Sequence, residues 1–231
     1  NHDQSRAVSR YGDDSPSYRI SSAKLLHTFL LTQRATPYLY NGDEIGMTNI
    51  RFKTVEQYND LQTRNRYYLM LKESPAKAAA YLIEQQELSR DNSRTPMQWT
   101  AAENASFTSG KPWLPVNANK ATVNVAASQA DQNSILQYVQ KLIRLRKQHK
   151  AVLVYGQYQP IAEENPDVYA YIRSSSSEKF LVVLSLNKKG GILPLKGLQL
   201  GEVLLNNCAE LKADAEQISV APYQACIIKL K

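Results

Sequence analysis

The chain contains 231 residues, of which 43% are hydrophobic, 21% charged and 9% aromatic, a balance typical of globular proteins that excludes collagen-like, coiled-coil and disordered chains. Lys and Arg outnumber Asp and Glu by 28 to 21, so the formal net charge is +7. Even the longest apolar runs, such as Phe180–Leu184, are too short to span a membrane, so we expect no membrane partner. The chain opens on Asn1 rather than Met, and we expect either a processed protein or part of a longer one.

The N-terminal segment predicts a polar loop, a helix and a strand, in that order. The loop covers residues 1–15 and the helix residues 17–34, with Ser17 as its N-cap. Helical spacing predicts the apolar side of this helix at Ile20, Ala23, Leu26, Leu30 and Leu31. Residues 36–40 predict a short buried strand that Asn41-Gly42 closes. This order of elements is typical of half an α/β repeat.

A long polar segment over residues 43–100 follows the predicted strand. Because a structureless loop of this length is uncommon, we expect helices inside it, over residues 55–72 and 75–88. Residues 101–130 predict irregular structure, since Gly, Pro and Asn recur through them.

An amphipathic helix is predicted over residues 134–149, with Ser134 as its cap. Its C-terminal part is basic, with Lys141, Arg144, Arg146, Lys147 and Lys150. A nucleic-acid partner would use such a run of cations. Cations also favour the C-terminal end of a helix, and a solvated charged face is common. We therefore expect no nucleic-acid partner.

The pattern changes after Lys150, where short strand-like segments alternate with turn signals. The predicted strands cover residues 152–161, 168–174, 179–187, 192–195, 202–205 and 221–230. This spacing is typical of an antiparallel sandwich, so we expect a domain boundary near residue 150. Cys208 and Cys226 have no metal-binding spacing and predict buried thiols. We expect no metal and no cofactor. We expect a cytoplasmic location, since nothing indicates an oxidising compartment.

Three stretches carry polar side chains suited to sugar chemistry. His2-Asp3 can bond hydroxyl groups, although two adjacent residues are a weak signal and a solvated terminus is the alternative. Residues 89–99 are more specific, because Arg offers a planar fork of donors and Trp a stacking plate. The alternative is an Arg–Asp network that pins a long loop. Residues 42–47 place acidic groups after the predicted strand, where barrel enzymes build their sites, or simply close a loop.

Taken together, these stretches resemble the oligo-1,6-glucosidase group of the α-amylase superfamily, the family 13 retaining glycoside hydrolases. The shared motifs are Asn1-His2-Asp3-Gln4 with Arg6, Ser9-Arg10, Gly12-Asp13, Thr36-Pro37-Tyr38, Gly42-Asp43-Glu44-Ile45-Gly46-Met47-Thr48-Asn49, Arg90-Asp91-Asn92-Ser93-Arg94-Thr95-Pro96-Met97-Gln98-Trp99 and Phe107-Thr108-Ser109-Gly110-Lys111-Pro112-Trp113. The resemblance covers essentially the whole chain. It implies the last βα units of a (β/α)8 TIM barrel over residues 1–150, including a long loop 43–130 after the last strand, and a small antiparallel β-sandwich over residues 151–231.

The resemblance also implies roles for particular residues. Asp3 corresponds to the third catalytic carboxylate, the transition-state stabiliser, which holds the ring hydroxyls without attacking or protonating. His2 and Arg90 correspond to residues that bind the same sugar ring. Gln62 lies where the group usually carries Glu, at the aglycone side of the pocket. Gln keeps the size and loses the charge, which leaves the linkage preference open.

The resemblance implies that the chain is a C-terminal fragment of a retaining α-glucosidase that hydrolyses short α-glucosides. The best match within the group implies α-1,6-linked oligosaccharides as the substrates, and these are the expected partners. The nucleophile and the acid/base of the family lie on earlier strands, so we expect this chain alone to be inactive. Trehalose-6-phosphate hydrolases and sucrose isomerases share nearly all of these motifs. The isomerases carry a charged loop signature before the Arg90 motif, whereas residues 75–88 hold Lys77 as their one basic residue. A non-catalytic glycan-binding or partner-binding relative is the alternative of another class.

Overall fold

The helices lie in the chain up to residue 153 and the antiparallel strands lie after it, in a computed structural model that describes residues 1–231. The helices are α1 (Ala7–Tyr11), α2 (Arg19–Thr32), α3 (Leu61–Glu73), α4 (Pro75–Leu88), α5 (Val125–Ala130), α6 (Ile135–Gln148) and α7 (Lys150–Leu153). The strands are β1 (Gln157–Ile161), β2 (Tyr169–Ser174), β3 (Lys179–Leu184), β4 (Gly191–Pro194), β5 (Leu200–Asn206), β6 (Lys212–Ala213), β7 (Gln217–Val220) and β8 (Ala225–Leu230). None of the helices combines the length with the hydropathy that a bilayer span requires.

Contacts divide the chain into two compact units. One unit comprises residues 1–14 and 39–136, and the other comprises residues 15–38 and 137–231. Helix α2 therefore groups with the strands, although α2 ends at Thr32 and the first strand begins only at Gln157. The boundary expected near residue 150 stays a prediction.

In the unit that contains the strands, two antiparallel sheets form a sandwich. The larger sheet has the order β1-β2-β3-β8-β5 and the smaller one β4-β7-β6. Alternate residues of the larger sheet face opposite sides, as the two-residue period of a strand requires. Leu181, Val183 and Ile228 pack toward β4 and β7, whereas Val182 and Ile227 pack with residues of α2 and α6. The larger sheet is thus buried on both faces.

Two buried arginines, Arg146 on α6 and Arg173 on β2, bind carbonyl groups at the end of α2. Arg146 donates to the carbonyl oxygens of Leu31 at 2.6 Å and of Ala35 at 2.8 Å. Arg173 is fully buried and donates to the carbonyl oxygens of Thr32 and Leu153. Carbonyl groups at a helix C-terminus carry partial negative charge, so the guanidinium groups have partners without a carboxylate. Arg146 is 9% exposed, so it does not belong to the solvated charged face that the sequence predicts.

The sequence predictions for α2 are partly wrong. The helix begins at Arg19 with Tyr18 at the N-cap, so Ser17 does not cap it. Ile20 is exposed, while the helix buries Thr28 and Thr32. Their hydroxyls are bonded to the Tyr138 and Tyr171 hydroxyls, which removes the penalty for burying a polar group.

Other predicted elements shift for identifiable reasons. Residues 36–40 form no strand, because none of the strands pairs with them and a strand needs a ladder of hydrogen bonds. The helix expected over 55–72 begins at Leu61, where Asp60 accepts from the backbone N–H groups of Gln62 and Thr63. Residues 152 and 153, which the sequence predicts to begin a strand, belong to α7, and the strand itself begins at Gln157. Strands β6 and β7 are additions to the six expected, and β6 has only two residues.

Candidate functional site

Asp3 lies in a turn before α1, and its backbone N–H donates to Asn1 Oδ1 at 2.8 Å. Its carboxylate is 55% exposed and ion-paired to two arginines through the same oxygen. Arg94 Nη2 lies 3.0 Å from Asp3 Oδ1, and Arg90 Nη1 lies 3.4 Å from it. His2 Nε2 lies 3.2 Å from the other oxygen, Oδ2. Asp3 thus presents a carboxylate of fixed orientation to solvent.

Arg94 holds the backbone of this turn as well as the carboxylate. Its Nε donates to the carbonyl oxygen of His2 at 2.9 Å, and its Nη1 lies 3.7 Å from Asp91 Oδ1. One guanidinium therefore contacts three groups through its fork of donors. This geometry restrains His2 and Asp3 together.

Arg90 is oriented by Asp60. Arg90 Nη2 donates to Asp60 Oδ1 at 2.6 Å, a charge-assisted hydrogen bond. Burial acts to raise the pKa of Asp60, but the hydrogen bonds from Arg90, Thr63 and Gln62 outweigh it and hold that pKa below its ordinary value. The same bond from Asp60 raises the pKa of Arg90. Both groups are therefore charged at neutral pH.

Asp91 fixes the backbone on which Asp60 stands. Its side chain is fully buried, and its Oδ2 accepts from the backbone N–H groups of Asn59 and Asp60 at 2.8 Å each. Asp91 itself follows Arg90 in a short 3-10 helix whose N-cap is Ser89. Contacts therefore run from Asp91 to Asp60, from Asp60 to Arg90, and from Arg90 to Asp3.

Gln62 stands in the first turn of α3, beside this network. Its backbone N–H donates to Asp60 Oδ1 at 3.2 Å, and the residue is exposed. The structure thus brings His2, Asp3 and Arg90 together and connects Gln62 to them through Asp60. The roles of these residues in substrate binding stay predictions.

Residues 42–47 use their acidic groups to close a loop. Gly42 N–H donates to Glu44 Oε2 at 2.8 Å, and Tyr40 N–H donates to Asp43 Oδ2 at 3.2 Å. Arg6 is 1% exposed and donates from Nη1 to the carbonyl oxygen of Asn41 at 2.6 Å. Burial lowers the pKa of Arg6 despite the nearby carboxylates. The loop-closure interpretation therefore accounts for the contacts of these carboxylates.

A cavity of about 190 Å³ borders Arg94. Trp113 and Phe107 line it, and both are at least half exposed. Asn59 Nδ2 donates to the carbonyl oxygen of Trp113 at 3.2 Å, which connects this wall to the Asp60 segment. Trp99, which the sequence offers as a stacking plate, is half exposed and does not line the cavity.

Asp60 is the main residue that sequence reasoning missed. An Asp directly before a helical run is a recognisable N-cap signal. Its pairing with Arg90, 30 positions along the chain, carries no local signal. The Arg–Asp network expected within residues 89–99 is present in part, as the contact of Arg94 with Asp91.

Known proteins match the chain over its whole length. The sequence model of the protein family "Alpha amylase, catalytic domain" matches residues 1–156. The oligo-1,6-glucosidase of Parageobacillus thermoglucosidasius is 42% identical, and the match covers 100% of this chain and 42% of that protein. The trehalose-6-phosphate hydrolase of Bacillus subtilis is 40% identical, with 100% of this chain and 41% of that protein covered.

A solved structure agrees equally well. An isomaltulose synthase from Erwinia rhapontici NX5, in complex with D-glucose, superposes with a TM-score of 0.93 at 40% identity, covering 100% of this chain and 42% of that one. The chain thus spans less than half the length of the proteins it matches. These matches confirm the predicted fold class, part of an α-amylase catalytic domain followed by an antiparallel β-sandwich.

Proposed function

Because the chain belongs to the α-amylase catalytic-domain family, we propose that it supplies one side of the glucose-binding site of a retaining α-glucosidase. One observation carries the proposal. The Asp3 carboxylate is half exposed, yet Arg90 and Arg94 hold it in one orientation. A carboxylate fixed in this way can accept hydrogen bonds from sugar hydroxyls without being reorganised during the reaction.

The chemistry of such a site depends on the developing charge of the sugar. In retaining hydrolysis the ring becomes an oxocarbenium-like cation. Asp3 stabilises this cation through hydrogen bonds to the ring hydroxyls that strengthen in the transition state. His2 bonds the same ring, and Arg90 fixes its far edge. Asp60 keeps Arg90 in place through the bond of 2.6 Å.

The other two carboxylates of the network, those of Asp60 and Asp91, do not supply the two catalytic carboxyl groups of a retaining hydrolase. Retaining hydrolysis needs a nucleophile and an acid/base about 5–5.5 Å apart. Asp91 is fully buried against the backbone N–H groups of Asn59 and Asp60, and Asp60 is engaged by Arg90 and by the start of α3. Neither is available to attack a sugar or to protonate a leaving group. The chain by itself is therefore inactive under this proposal.

Short α-1,6-linked oligosaccharides are the proposed substrates of the whole enzyme. The first turn of α3 carries Gln62 on the aglycone side, where Gln offers an acceptor and a donor but no charge. Trehalose-6-phosphate hydrolysis is the second candidate, because a relative of that name matches equally fully. Sucrose isomerisation is disfavoured, since residues 75–88 carry Lys77 as their one basic residue.

The proposed compartment is the cytoplasm. Cys208 and Cys226 are both free thiols, which is usual where reducing systems keep cysteines unpaired. The proposed partner is an oligosaccharide substrate rather than a nucleic acid.

A hybrid enzyme tests the proposal. The chain is joined to the part of the oligo-1,6-glucosidase relative that it does not match, and hydrolysis of p-nitrophenyl α-glucoside, isomaltose and trehalose 6-phosphate is measured. We expect turnover by the hybrid, with isomaltose preferred, and none by the isolated chain. Robust turnover by the isolated chain would overturn the assignment of its role, and a folded hybrid inactive on every α-glucoside would overturn the function.

A further inference from the structure

A second cavity, of about 470 Å³, lies in the strand region, between the β1–β2 hairpin and the turn that follows β3. Its volume is within the range of small-molecule sites. Tyr158, Tyr169, Glu163 and Asp167 contribute its polar groups, and Ile161 and Leu186 contribute apolar surface. No residue of the Asp3 network lines it.

The backbone frame of this cavity is fixed by two asparagines. Asn165 Nδ2 donates to the carbonyl oxygen of Ile192 at 2.8 Å, and its Oδ1 accepts from the N–H groups of Asp167 and Val168. Asn187 Nδ2 donates to the carbonyl oxygen of Asp167 at 2.9 Å. A frame that is already bonded loses little conformational freedom when a ligand enters.

A pair of tyrosines forms the aromatic wall. The Tyr158 and Tyr169 hydroxyl oxygens are 2.5 Å apart, so one hydroxyl donates to the other. The accepting hydroxyl keeps its own hydrogen, which can donate to a ligand. Both rings pack against the buried ring of Tyr171, with centroids 5.0 and 5.5 Å away. Burial and the bond with Tyr169 raise the pKa of Tyr158 to about 12, so Tyr158 keeps its hydrogen at neutral pH.

Two exposed acidic residues border the same space. Glu163 and Asp167 stand on the loop between β1 and β2 and line the cavity. Carboxylates accept hydrogen bonds from hydroxyl groups but repel a phosphate or another anion. An ammonium ion would satisfy the carboxylates, yet it has no acceptor for the hydroxyl hydrogen of the tyrosine pair.

A neutral sugar complements both the tyrosine pair and the two acidic residues of this cavity. Its hydroxyls donate to Glu163 and Asp167, its oxygens accept from the tyrosine pair, and its apolar face covers a ring. We propose that the cavity between the β1–β2 hairpin and the turn after β3 is a second saccharide site, which binds a neutral mono- or disaccharide apart from the Asp3 site. The site goes beyond the proposed function and needs no catalytic group.

Calorimetric titration of the 231-residue chain with isomaltose tests the proposal. We expect saturable binding that Tyr169→Ala weakens about tenfold, the effect of losing about 1.4 kcal/mol of ring contact. Tyr155→Ala is the matched control, because Tyr155 is 69% exposed and does not line the cavity. Asp167→Ala, a change on an exposed loop, is expected to weaken binding and serves if Tyr169→Ala fails to fold.

Three results would overturn the saccharide site. The first is absence of saturable binding by the folded chain. The second is binding that Tyr169→Ala and Asp167→Ala both leave intact. The third is displacement of isomaltose by choline at lower concentration than by glucose, which would assign the cavity to a cation. Because hydrolysis is not measured, the outcome is independent of whether the proposed catalytic function holds.

Discussion

Asp60 Oδ1 accepts from Arg90 Nη2 at 2.6 Å, and this ion pair joins the start of α3 to the arginine that contacts Asp3. The same carboxylate caps α3, whose first turn carries Gln62. One buried side chain therefore positions both a residue predicted to bind the glucose ring and a residue predicted to face the aglycone. A change at Asp60 is expected to affect both.

Two substitutions at Asp60 separate its cap from its charge. Asn caps a helix as well as Asp does, so Asp60→Asn removes mainly the charged partner of Arg90. We expect the free energy of unfolding to fall by about 1 kcal/mol for Asp60→Asn and by about 2 kcal/mol for Asp60→Ala, which loses the cap as well. Urea denaturation of the chain measures both values. Equal losses in the two variants would contradict the capping role.

Gln62→Glu restores the charge usual in the resembled group. Glu in the first turn of a helix is favoured by the helix dipole, so α3 gains about 0.3–1 kcal/mol at low salt. In the hybrid enzyme we expect the ratio of kcat/KM for isomaltose to that for maltose to change, because a charge is added at a position predicted to face the aglycone. Steady-state kinetics on the two disaccharides measure this ratio.

The matched control for this charge is Gln57→Glu. Gln57 is exposed and belongs to the short 3-10 helix before α3, and its Oε1 accepts from the backbone N–H groups of Lys53 and Thr54. A Glu carboxylate can accept the same two bonds, so this variant adds an equal charge without loss of a local contact. A substrate ratio that changes equally in both variants would remove Gln62 from the pocket.

Gly42 is expected to resist substitution more than Gly197 does. Both glycines have positive φ, +92° and +87°, so Ala is strained at either position. A Cβ on Gly42 would lie 2.5 Å from Met47 Sδ and 2.9 Å from Arg6 Nη1, whereas none of the surrounding atoms lies within 4 Å of a Cβ on Gly197. Thermal unfolding should show a loss of about 1 kcal/mol for Gly197→Ala and clearly more for Gly42→Ala. A smaller loss at Gly42 would contradict this packing.

Glu178 should make stability depend on pH in the acid range. Lys229 Nζ lies 2.7 Å from Glu178 Oε1 and His149 Nδ1 lies 3.2 Å from Oε2. These bonds hold the pKa of Glu178 below its ordinary value. The stabilisation is therefore present at neutral pH and lost as pH falls, between about pH 5 and pH 3. The melting temperatures of the wild type and Glu178→Gln should converge over this range, while Glu164→Gln, on an exposed loop, should show no such convergence.

Local patterns predict most of the elements, because hydrophobic period and capping act within a few residues. Helix α6 follows its apolar stripe and begins directly after Ser134. The pattern also locates helix α2 but not its buried side, since Thr28 and Thr32 are buried through bonds to distant tyrosines. A period of apolar residues carries no information about such bonds.

Sequence motifs identify the residues of the candidate site but not the contacts that orient them. His2, Asp3 and Arg90 follow from motifs, and the structure brings them together. Asp60 does not follow from a motif. Its bond to Arg90 depends on Asp91, which holds the backbone N–H groups of Asn59 and Asp60. Contacts between residues far apart in sequence follow from packing and leave no local pattern.

The role of Asp3 in stabilising the transition state is measured most directly by the kcat/KM of the hybrid enzyme for p-nitrophenyl α-glucoside, with Asp3 and with Asp3→Asn. Asn preserves the size of the side chain and removes the charge that stabilises the oxocarbenium-like sugar. We expect a loss of about 10³-fold or more, mainly in kcat, with the fold intact by circular dichroism. A folded Asp3→Asn hybrid that keeps activity within about tenfold of its parent would contradict this role.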